Sequence, residues 1–395
     1  MNSLLLKNCL IVQSNGETEK KDILIQSGKI SCISDTLFSD GSSEIMDMEE
    51  HIVVPGFIDC HTHLGIIEEG TGKIGVDNNE TSDACTPHLR GIDAVNPLDI
   101  AFKDAVKSGV TTVMTGPGSN NAVGGLALAI KTAGHILDDM ILKNPVGLKI
   151  ALGENPITTY GKDSKCPVTR MGTSALIREL FTKAEDYIGL KDQGKIQYRD
   201  IRLEAVIPVL KGVMPLRAHA HRADDIISAI RIAEEFKISK LVIEHGTEAD
   251  LVKDYLKERQ IPVAIGPMLT PRIKMELKSR NYKTAINLVE AGVKVALITD
   301  HPYNSIDQLR TIAALTIAEG LKKKDALHLL TSHPAEIIGC GDKVGEITPG
   351  YDADLVVYSG DPFDINSKVL FTFINGRLEY SNANGVYGGL VQKRG

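Results

Sequence analysis

The amino-acid sequence predicts an α/β fold in which a parallel sheet occupies the middle of the chain and β-rich segments lie at both ends. Residues 1–54 contain short apolar runs separated by turn signals such as Ser14-Asn15-Gly16. After Gly56, similar runs alternate with segments of helical periodicity, which is typical of βα units around a parallel sheet. From about residue 344 the chain returns to short strands, so its two ends are expected to pair in one small sheet.

Length and composition narrow the functional classes. The chain has 395 residues, more than one typical core, so a large and a smaller domain are expected. A net charge of −7, without basic runs interleaved with aromatic residues, argues against nucleic-acid binding. No stretch approaches the roughly 18 apolar residues that span a bilayer, and no secretory signal is recognisable, so we expect a cytoplasmic protein without a membrane partner. Six scattered cysteines without CxxC spacing predict reduced thiols.

The central region is predicted as strands and helices in alternation. Strands are expected at residues 56–60, 110–115, 146–152, 215–219, 241–245, 262–266 and 293–299. Helices are expected at residues 97–109, 173–190, 201–210, 223–236, 248–257, 283–291, 306–319 and 324–330. Residues 121–134, rich in glycine and small apolar side chains, fit neither pattern, and residues 157–172 are interpreted as a long polar loop.

Two histidines directly follow the first strand of this region. His61 and His63 are two residues apart, so on an extended chain both side chains project to one side and can reach one metal ion. Such a pair is weak evidence by itself. Here it follows a buried strand, has Asp59 beside it and precedes Gly65, which opens a loop. The pattern therefore predicts a metal site at this strand end.

Polar residues recur at the ends of later strands. The carboxyl ends of strands in an αβ barrel are where catalytic residues collect, whereas random placement would scatter histidines through helices and loops. Imidazole and carboxylate ligands suit Zn²⁺ or a similar divalent ion, and an open coordination position would acidify a bound water. Asp300 is the candidate to move that water's proton. The further strand-end residues are Glu154, His219, His221 and His245.

Substrate recognition is expected in the loops that follow the strands, where the sequence is least informative. His88 lies in an acid- and amide-rich loop, Arg170 in a basic loop, and Arg222 just beyond a later strand. Each could contact a polar or anionic substrate. A solvated loop residue is the simpler interpretation for each one alone.

These motifs together resemble the amidohydrolase superfamily of metal-dependent hydrolases, and most closely its imidazolonepropionase-like branch. The resemblance covers nearly the whole chain. It rests on residues 54–63 (VPGFIDCHTH), 109–113 (GVTTV), 217–221 (RAHAH), 243–246 (IEHG), 299–300 (TD) and 349–356 (PGYDADLV).

The resemblance implies a (β/α)8-type TIM barrel and a small β-sandwich built from both chain ends. The barrel would comprise residues 55–340, and the sandwich residues 1–54 and 341–395. No fourth strand is recognisable between residues 156 and 201, which allows for a degenerate fourth barrel unit.

The resemblance also implies a metal site with one or two ions, most naturally Zn²⁺. In it Asp300 would also carry protons, His245 would bind metal or stabilise an oxyanion, and His221 would face the substrate or lie behind the ligands. Two-metal relatives place a carboxylated lysine on the fourth strand. Lys149 is similar but counts here as a third-strand residue, so the third-strand Glu154 is favoured. The implied ligands are His61, His63, Glu154, His219, His245 and Asp300.

The functional hypothesis is an enzyme that uses metal-activated water to hydrolyse a C–N bond, other than a peptide bond, in a small polar molecule. Amides and cyclic amides are the substrate types expected. One alternative is a hydrolytic deaminase of a heterocycle, which uses similar ligands. A non-catalytic scaffold relative would be expected to lose metal ligands, and none is missing. The expected partner is the small-molecule substrate, and a homo-oligomer is compatible with the sequence.

Overall fold

The structure, a computed structural model, describes residues 3–13, 15–39, 41 and 43–382. Its strands form two sheets of eight strands each. One sheet belongs to the central region of the chain, and the other combines strands from both ends. Ser14 of the predicted turn and residues 383–395 of the predicted C-terminal segment lie outside the described residues.

The strands are numbered in chain order. They are β1 (Ser3–Val12), β2 (Thr18–Gln26), β3 (Lys29–Ser34), β4 (Ser43–Asp47), β5 (Ile52–Pro55), β6 (Phe57–Thr62), β7 (Val110–Thr115), β8 (Val123–Lys131), β9 (Ile141–Ala151), β10 (Leu216–Ala220), β11 (Leu241–His245), β12 (Val263–Ile265), β13 (Val295–Leu297), β14 (Leu355–Tyr358), β15 (Val369–Ile374) and β16 (Arg377–Ser381). β6 to β13 form the central sheet, in which neighbours in the chain are also neighbours in the sheet.

The helices lie mainly in the connections between the central strands. They are α1 (Ala101–Ser108), α2 (Leu137–Met140), α3 (Glu154–Gly161), α4 (Arg170–Asp192), α5 (Ile201–Glu204), α6 (Ile207–Leu210), α7 (Ala223–Glu235), α8 (Lys253–Glu258), α9 (Lys283–Ala291), α10 (Leu309–Ala318), α11 (Lys323–Leu330) and α12 (Ser332–Ile337). The predicted loop at residues 157–172 thus contains most of α3, and the helix predicted at residues 201–210 is two short helices. In the part of the chain that the structure describes, no helix is both long and apolar enough to cross a membrane.

The third strand of the central sheet corrects the predicted strand count. β8 covers residues that fitted neither pattern in the sequence, and it pairs antiparallel with both β7 and β9. The other neighbouring strands of this sheet pair in parallel. The strand that was counted as third is therefore the fourth, and Lys149 is a fourth-strand residue. The irregular unit is the third, not the fourth.

β8 is not recognisable in the sequence, because the side chains of this strand do not alternate between polar and apolar. Nearly every residue of the strand is buried, so neither face carries a polar pattern. Gly125 also argues against a strand, yet the fold requires it. Its φ is 129°, and a Cβ atom there would lie 2.5 Å from the carbonyl oxygen of Leu89.

The first and last strands of the central sheet meet through the residues that follow β13. The backbone N–H of Asp300 donates to the carbonyl oxygen of His61 at 3.2 Å. The buried carboxylate of Asp59 accepts hydrogen bonds from the N–H and the hydroxyl of Thr299, at 2.9 and 2.6 Å. This seam makes the sheet a nearly closed barrel and brings the chain near residue 61 against the chain near residue 300.

The terminal sheet contains strands from both ends of the chain. Its order is β16-β15-β14-β5-β1-β2-β3, and β4 pairs with β1. β5, from the N-terminal segment, pairs antiparallel with β14, from the C-terminal segment. The description of this sheet as a β-sandwich, and the domain boundaries near residues 54 and 340, stay predictions.

A buried ion pair fastens the barrel to the terminal sheet. The ammonium of Lys131, at the end of β8, lies 2.6 Å from Asp354 Oδ2 and 3.0 Å from Asp352 Oδ2. The Lys131 side chain is only 5% exposed. Asp352 is also paired with the more exposed Lys29, at 2.8 Å. The two aspartates directly precede β14, so they link the irregular third barrel strand to the C-terminal segment.

Candidate metal centre

The histidine pair predicted at the first strand end faces the last strand end. One carboxylate oxygen of Asp300, Oδ1, lies 3.2 Å from His61 Nε2 and 3.4 Å from His63 Nε2. The other, Oδ2, lies 4.0 Å from His245 Nδ1. All four side chains are almost completely buried. The barrel seam therefore brings together residues that are far apart in the sequence.

Two more imidazoles, those of His219 and His221, extend the cluster. The ring centroids of His219 and His245 are 4.4 Å apart, and that of His221 is 4.8 Å from each of them. The centroid of His61 lies 4.8 Å from that of His245. Among the residues that the structure describes, two groups of three have ligand atoms close enough to share an ion, and both include His245. The groups are His219, His221 and His245, and His61, His245 and Asp300.

Backbone strain at His245 makes this convergence possible. Successive strand residues normally point to opposite faces. Glu244 and His245 instead both reach His61, because Glu244 Oε1 lies 3.0 Å from His61 Nδ1 while the His245 ring also faces that imidazole. His245 has a φ of 75°, a left-handed conformation that is unfavourable for a non-glycine residue. Such strain is characteristic of functional sites.

The hydrogen bonds of the imidazoles suit metal ligands. His63 Nδ1 lies 2.9 Å from the carbonyl oxygen of Gly116, and His245 Nδ1 lies 2.8 Å from that of Gly266. A ring nitrogen anchored in this way fixes the ring and leaves the other nitrogen free to bind a metal. The Nδ1 of His219 is buried without a hydrogen-bond partner among the described residues. Buried nitrogens without partners are costly, and a metal ion would satisfy them.

The protonation states favour the same interpretation. Burial lowers the pKa of His219 and His221 well below the usual value, and neighbouring positive charges, including Lys274, add to the effect. Burial also lowers the pKa of His245 to about 3. Burial alone would raise the pKa of Asp300, but the surrounding imidazoles hold it well below its usual range. Burial would also lower the pKa of His61, but Glu244 and Asp300 outweigh burial and raise it. Neutral His219, His221 and His245 beside an ionised carboxylate are forms that bind Zn²⁺.

A buried group of charges lies directly behind this cluster. Glu244 forms an ion pair with Lys149, and its Oε1 accepts a hydrogen bond from Arg217 Nε at 2.7 Å. Arg217 also donates to the carbonyl oxygen of Cys60 at 2.8 Å, which fixes the strand that carries His61. Burial would raise the pKa of Glu244, but His61, Lys149 and Arg217 keep it well below the usual value. Sequence reasoning gave Glu244 and Arg217 no role, although a charged residue inside a predicted buried strand was a usable signal.

Glu154, the favoured additional ligand, belongs to neither of the two ligand groups, and its role as a ligand stays a prediction. It is the first residue of α3, beyond the end of β9, and its backbone N–H donates to Glu276 Oε1 at 2.5 Å. The corrected strand count removes the argument that preferred it to Lys149. Its neighbour Asn155 approaches the cluster instead, with Nδ2 3.4 Å from His219 Nε2. Sequence reasoning missed Asn155, which no recognisable motif marks.

The residues predicted to contact substrate lie in surrounding loops and helix ends. His88 is half-buried, and neither ligand group contains it. Arg170 Nε lies 2.9 Å from Asp225 Oδ1, and Arg222 Nε lies 2.8 Å from Asp224 Oδ1. His221 alone of the four predicted contacts lies within the imidazole cluster. Substrate contact by any of the four stays a prediction.

Comparison with known proteins agrees with this geometry. The model of the amidohydrolase family matches residues 52–379. The crystal structure of an amidohydrolase from Thermotoga maritima MSB8 is 43% identical to this chain, with a TM-score of 0.93, and the match covers 96% of this chain and 100% of that one. The imidazolonepropionase of Thermoplasma acidophilum is 25% identical over 88% of this chain and 84% of its own length.

A longer relative is also found. The amidohydrolase tasK of Hapsidospora irregularis is 27% identical over 91% of this chain, but the match covers 40% of tasK, so this chain spans less than half of that protein's length. The family match covers most of the present chain and includes every strand of the barrel. The barrel, the strand-end histidines and the family match lead to one conclusion: the chain belongs to the amidohydrolase family.

Proposed function

We propose that this protein is a metal-dependent hydrolase of a C–N bond, other than a peptide bond, in a small polar molecule such as an amide or cyclic amide. The observation that carries the proposal is the pair of ligand groups that share His245 in the buried end of the barrel. A protein that used its barrel only as a scaffold would have no need to retain these groups. The relatives named as an amidohydrolase and an imidazolonepropionase support the same class of chemistry.

The proposed ligands are the strand-end residues that converge in the barrel, and Zn²⁺ or a similar divalent ion suits them. Such an ion, when bound, lowers the pKa of water and polarises a carbonyl oxygen. Lys149 now replaces Glu154 as the candidate from the fourth strand, because it is buried beside Glu244 at the base of the cluster. Two ions are expected if Lys149 is a ligand, and one ion if it is not. The proposed ligands on the other strands are His61, His63, His219, His245 and Asp300.

The protein's own groups would perform the proton transfers. Asp300 is ionised and lies at the centre of the imidazole cluster, so its carboxylate can accept a proton from water and deliver it to the departing nitrogen. His221 is held by a contact of 2.7 Å between its Nδ1 and Thr247 Oγ1, which leaves Nε2 to meet the substrate. The buried histidines keep bulk water away from these groups, which strengthens electrostatic interactions there.

A substrate screen with separate product readouts tests this proposal. Purified zinc-loaded protein is offered amides, cyclic amides, N-acyl amino acids, dipeptides and amino-heterocycles, and released amine, ammonia and ring-opened acid are measured separately. Amine release or ring opening is expected. Ammonia release from amino-heterocycles alone would instead establish a deaminase. No turnover, together with no stoichiometric divalent ion in the protein as purified, would favour the scaffold alternative.

A further inference from the structure

A side-chain amide connects the imidazole cluster to a lysine at its margin. Asn155 lies at the start of α3, and its Nδ2 donates to Ser119 Oγ at 2.8 Å and lies 3.4 Å from His219 Nε2. Its Oδ1 accepts a hydrogen bond from Lys274 Nζ at 2.9 Å. One amide group therefore separates the Lys274 ammonium from a proposed metal ligand. The contacts fix both ends of that amide, so its orientation is defined.

Lys274 keeps the capacity to bind a further group. Its side chain is 21% exposed, and an ammonium has three donors, of which Asn155 uses one. Its counter-ion is Glu276, whose Oε2 lies 3.2 Å from the ammonium. The other oxygen of Glu276 accepts a hydrogen bond from the N–H of Glu154. Asn155 and Glu276 thus take two of the three donors of Lys274, and one donor remains for a further group.

Three other cations of the barrel region are already committed to carboxylates. Lys149 and Arg217 share Glu244 and are almost completely buried. Arg170 is paired with the carboxylate of Asp225. The ammonium of Lys274 is partly exposed and keeps one donor beside the imidazole cluster, besides its contacts with Asn155 and Glu276. That donor suits a negatively charged group of a ligand.

We propose that Lys274, held in place by Asn155, binds a carboxylate of the substrate, so that the substrate is an anionic amide of the N-acyl amino acid type. This inference rests on the proposed function, since it places the scissile amide at the imidazole cluster. In an N-acyl amino acid, only the amide nitrogen and the α-carbon separate the scissile carbonyl from the carboxylate. The short spacing between carbonyl and carboxylate in such a ligand is similar to the spacing between His219 and Lys274, which the single amide group of Asn155 spans.

Pairs of N-acetyl amino acids and their C-terminal carboxamides test the inference. The two members of a pair differ only in the charge that Lys274 would recognise. For each pair, kcat/KM is measured where the zinc-loaded protein turns the compound over, and affinity is measured by calorimetry where it does not. We expect at least about a tenfold preference for the acid in the best pairs, which is the scale of a charge-assisted hydrogen bond.

Lys274→Met should remove this preference through KM, with kcat changed much less, and Lys274→Arg should restore part of it. Lys278→Met, which neutralises an exposed lysine on the same loop, is the matched control and should keep the preference. The inference is overturned if no acid is preferred to its carboxamide, or if Lys274→Met retains the preference. Lys274-dependent binding of acids without turnover of any compound would contradict the proposed function and leave this inference standing.

Discussion

The carboxylate of Asp300 lies 3.2 Å from Nε2 of His61, across the seam where the last barrel strand meets the first. The backbone of the same two residues is joined by a hydrogen bond. The seam is therefore both a structural joint of the barrel and the centre of the proposed active site. A change at Asp300 is expected to affect chemistry more than folding if the side-chain shape is kept.

Asp300→Asn should lower kcat by at least about a hundredfold, because an amide cannot accept and return the proton as a carboxylate does. Its oxygen can still contact a metal, so the zinc content is expected to remain near that of the wild type. Steady-state kinetics and elemental analysis of the same samples check both statements. Asp307→Asn, at an exposed aspartate nearby, is the control and should leave both quantities unchanged. Unchanged turnover in Asp300→Asn would exclude the proton-transfer role.

Lys149→Met should lower the affinity for divalent metal, whereas Glu154→Gln should not. Lys149 is buried in an ion pair with Glu244, which in turn contacts His61, so its removal alters the charge behind the ligands. Titration of chelator-treated protein with zinc measures the affinities, and native mass spectrometry shows whether Lys149 carries one added carbon dioxide. The reverse ranking of the two variants would restore Glu154 as the ligand.

Arg170→Met should destabilise the protein in a pH-dependent manner. Burial raises the pKa of Asp225, and Arg170 opposes that rise. The pKa of Asp225 in the folded protein is above the unfolded value of about 3.9, so ionisation of Asp225 lowers the free energy of unfolding. This loss of stability develops as the pH rises from the unfolded pKa through the folded pKa. Removing Arg170 raises the folded pKa further, so the loss should be small at pH 4 and larger at pH 7.

We expect this loss at pH 7 to be roughly 1–2 kcal/mol, less than for a fully buried pair, because the Arg170 side chain is 45% exposed. Denaturant unfolding at both pH values measures it. Arg222→Met is the control, since its pair with Asp224 is exposed and should cost about 0–1 kcal/mol at either pH. A large activity loss without any stability loss in Arg170→Met would instead favour the substrate contact predicted from sequence.

Lys131→Met should destabilise the whole molecule by about 3–5 kcal/mol, because it leaves Asp352 and Asp354 without their shared buried partner. Lys29→Met removes a partner of Asp352 that is 52% exposed and should cost about 1 kcal/mol or less. Thermal unfolding of both variants checks the difference. Equal costs would show that the pair between barrel and terminal sheet contributes little.

Residue type and strand position were sufficient to predict much of the candidate site. Histidines and an aspartate at strand ends are chemically conspicuous, so His61, His63, His219, His245 and Asp300 were all named before the structure, which brings them together. Glu244 and Asn155 were not, for different reasons. Glu244 shares an inward face with its neighbour only because His245 has a positive φ, which sequence periodicity does not reveal. Asn155 lies beside the cluster because α3 begins directly after β9, and that arrangement is a property of the fold.

The fold was likewise predictable only in part. Parallel strands with alternating helices were predictable, because their apolar runs and periodicities are local properties. β8 was not, because a buried strand containing Gly124 and Gly125 has no local pattern and is defined by its partners β7 and β9. Missing that one strand shifted the strand count, on which the preference for Glu154 over Lys149 rested.

The barrel seam affects the order in which the chain can fold during synthesis. Synthesis proceeds at about 5–20 residues per second, so roughly tens of seconds pass between the emergence of residue 61 and that of residue 300 from the ribosome. Throughout that interval β6 lacks its partner across the seam. β5 lacks its partner β14 for longer still. The nascent chain therefore carries open strand edges and an incomplete ligand set. The proposed ligands can therefore come together only at the end of folding, after the last barrel strand has been released.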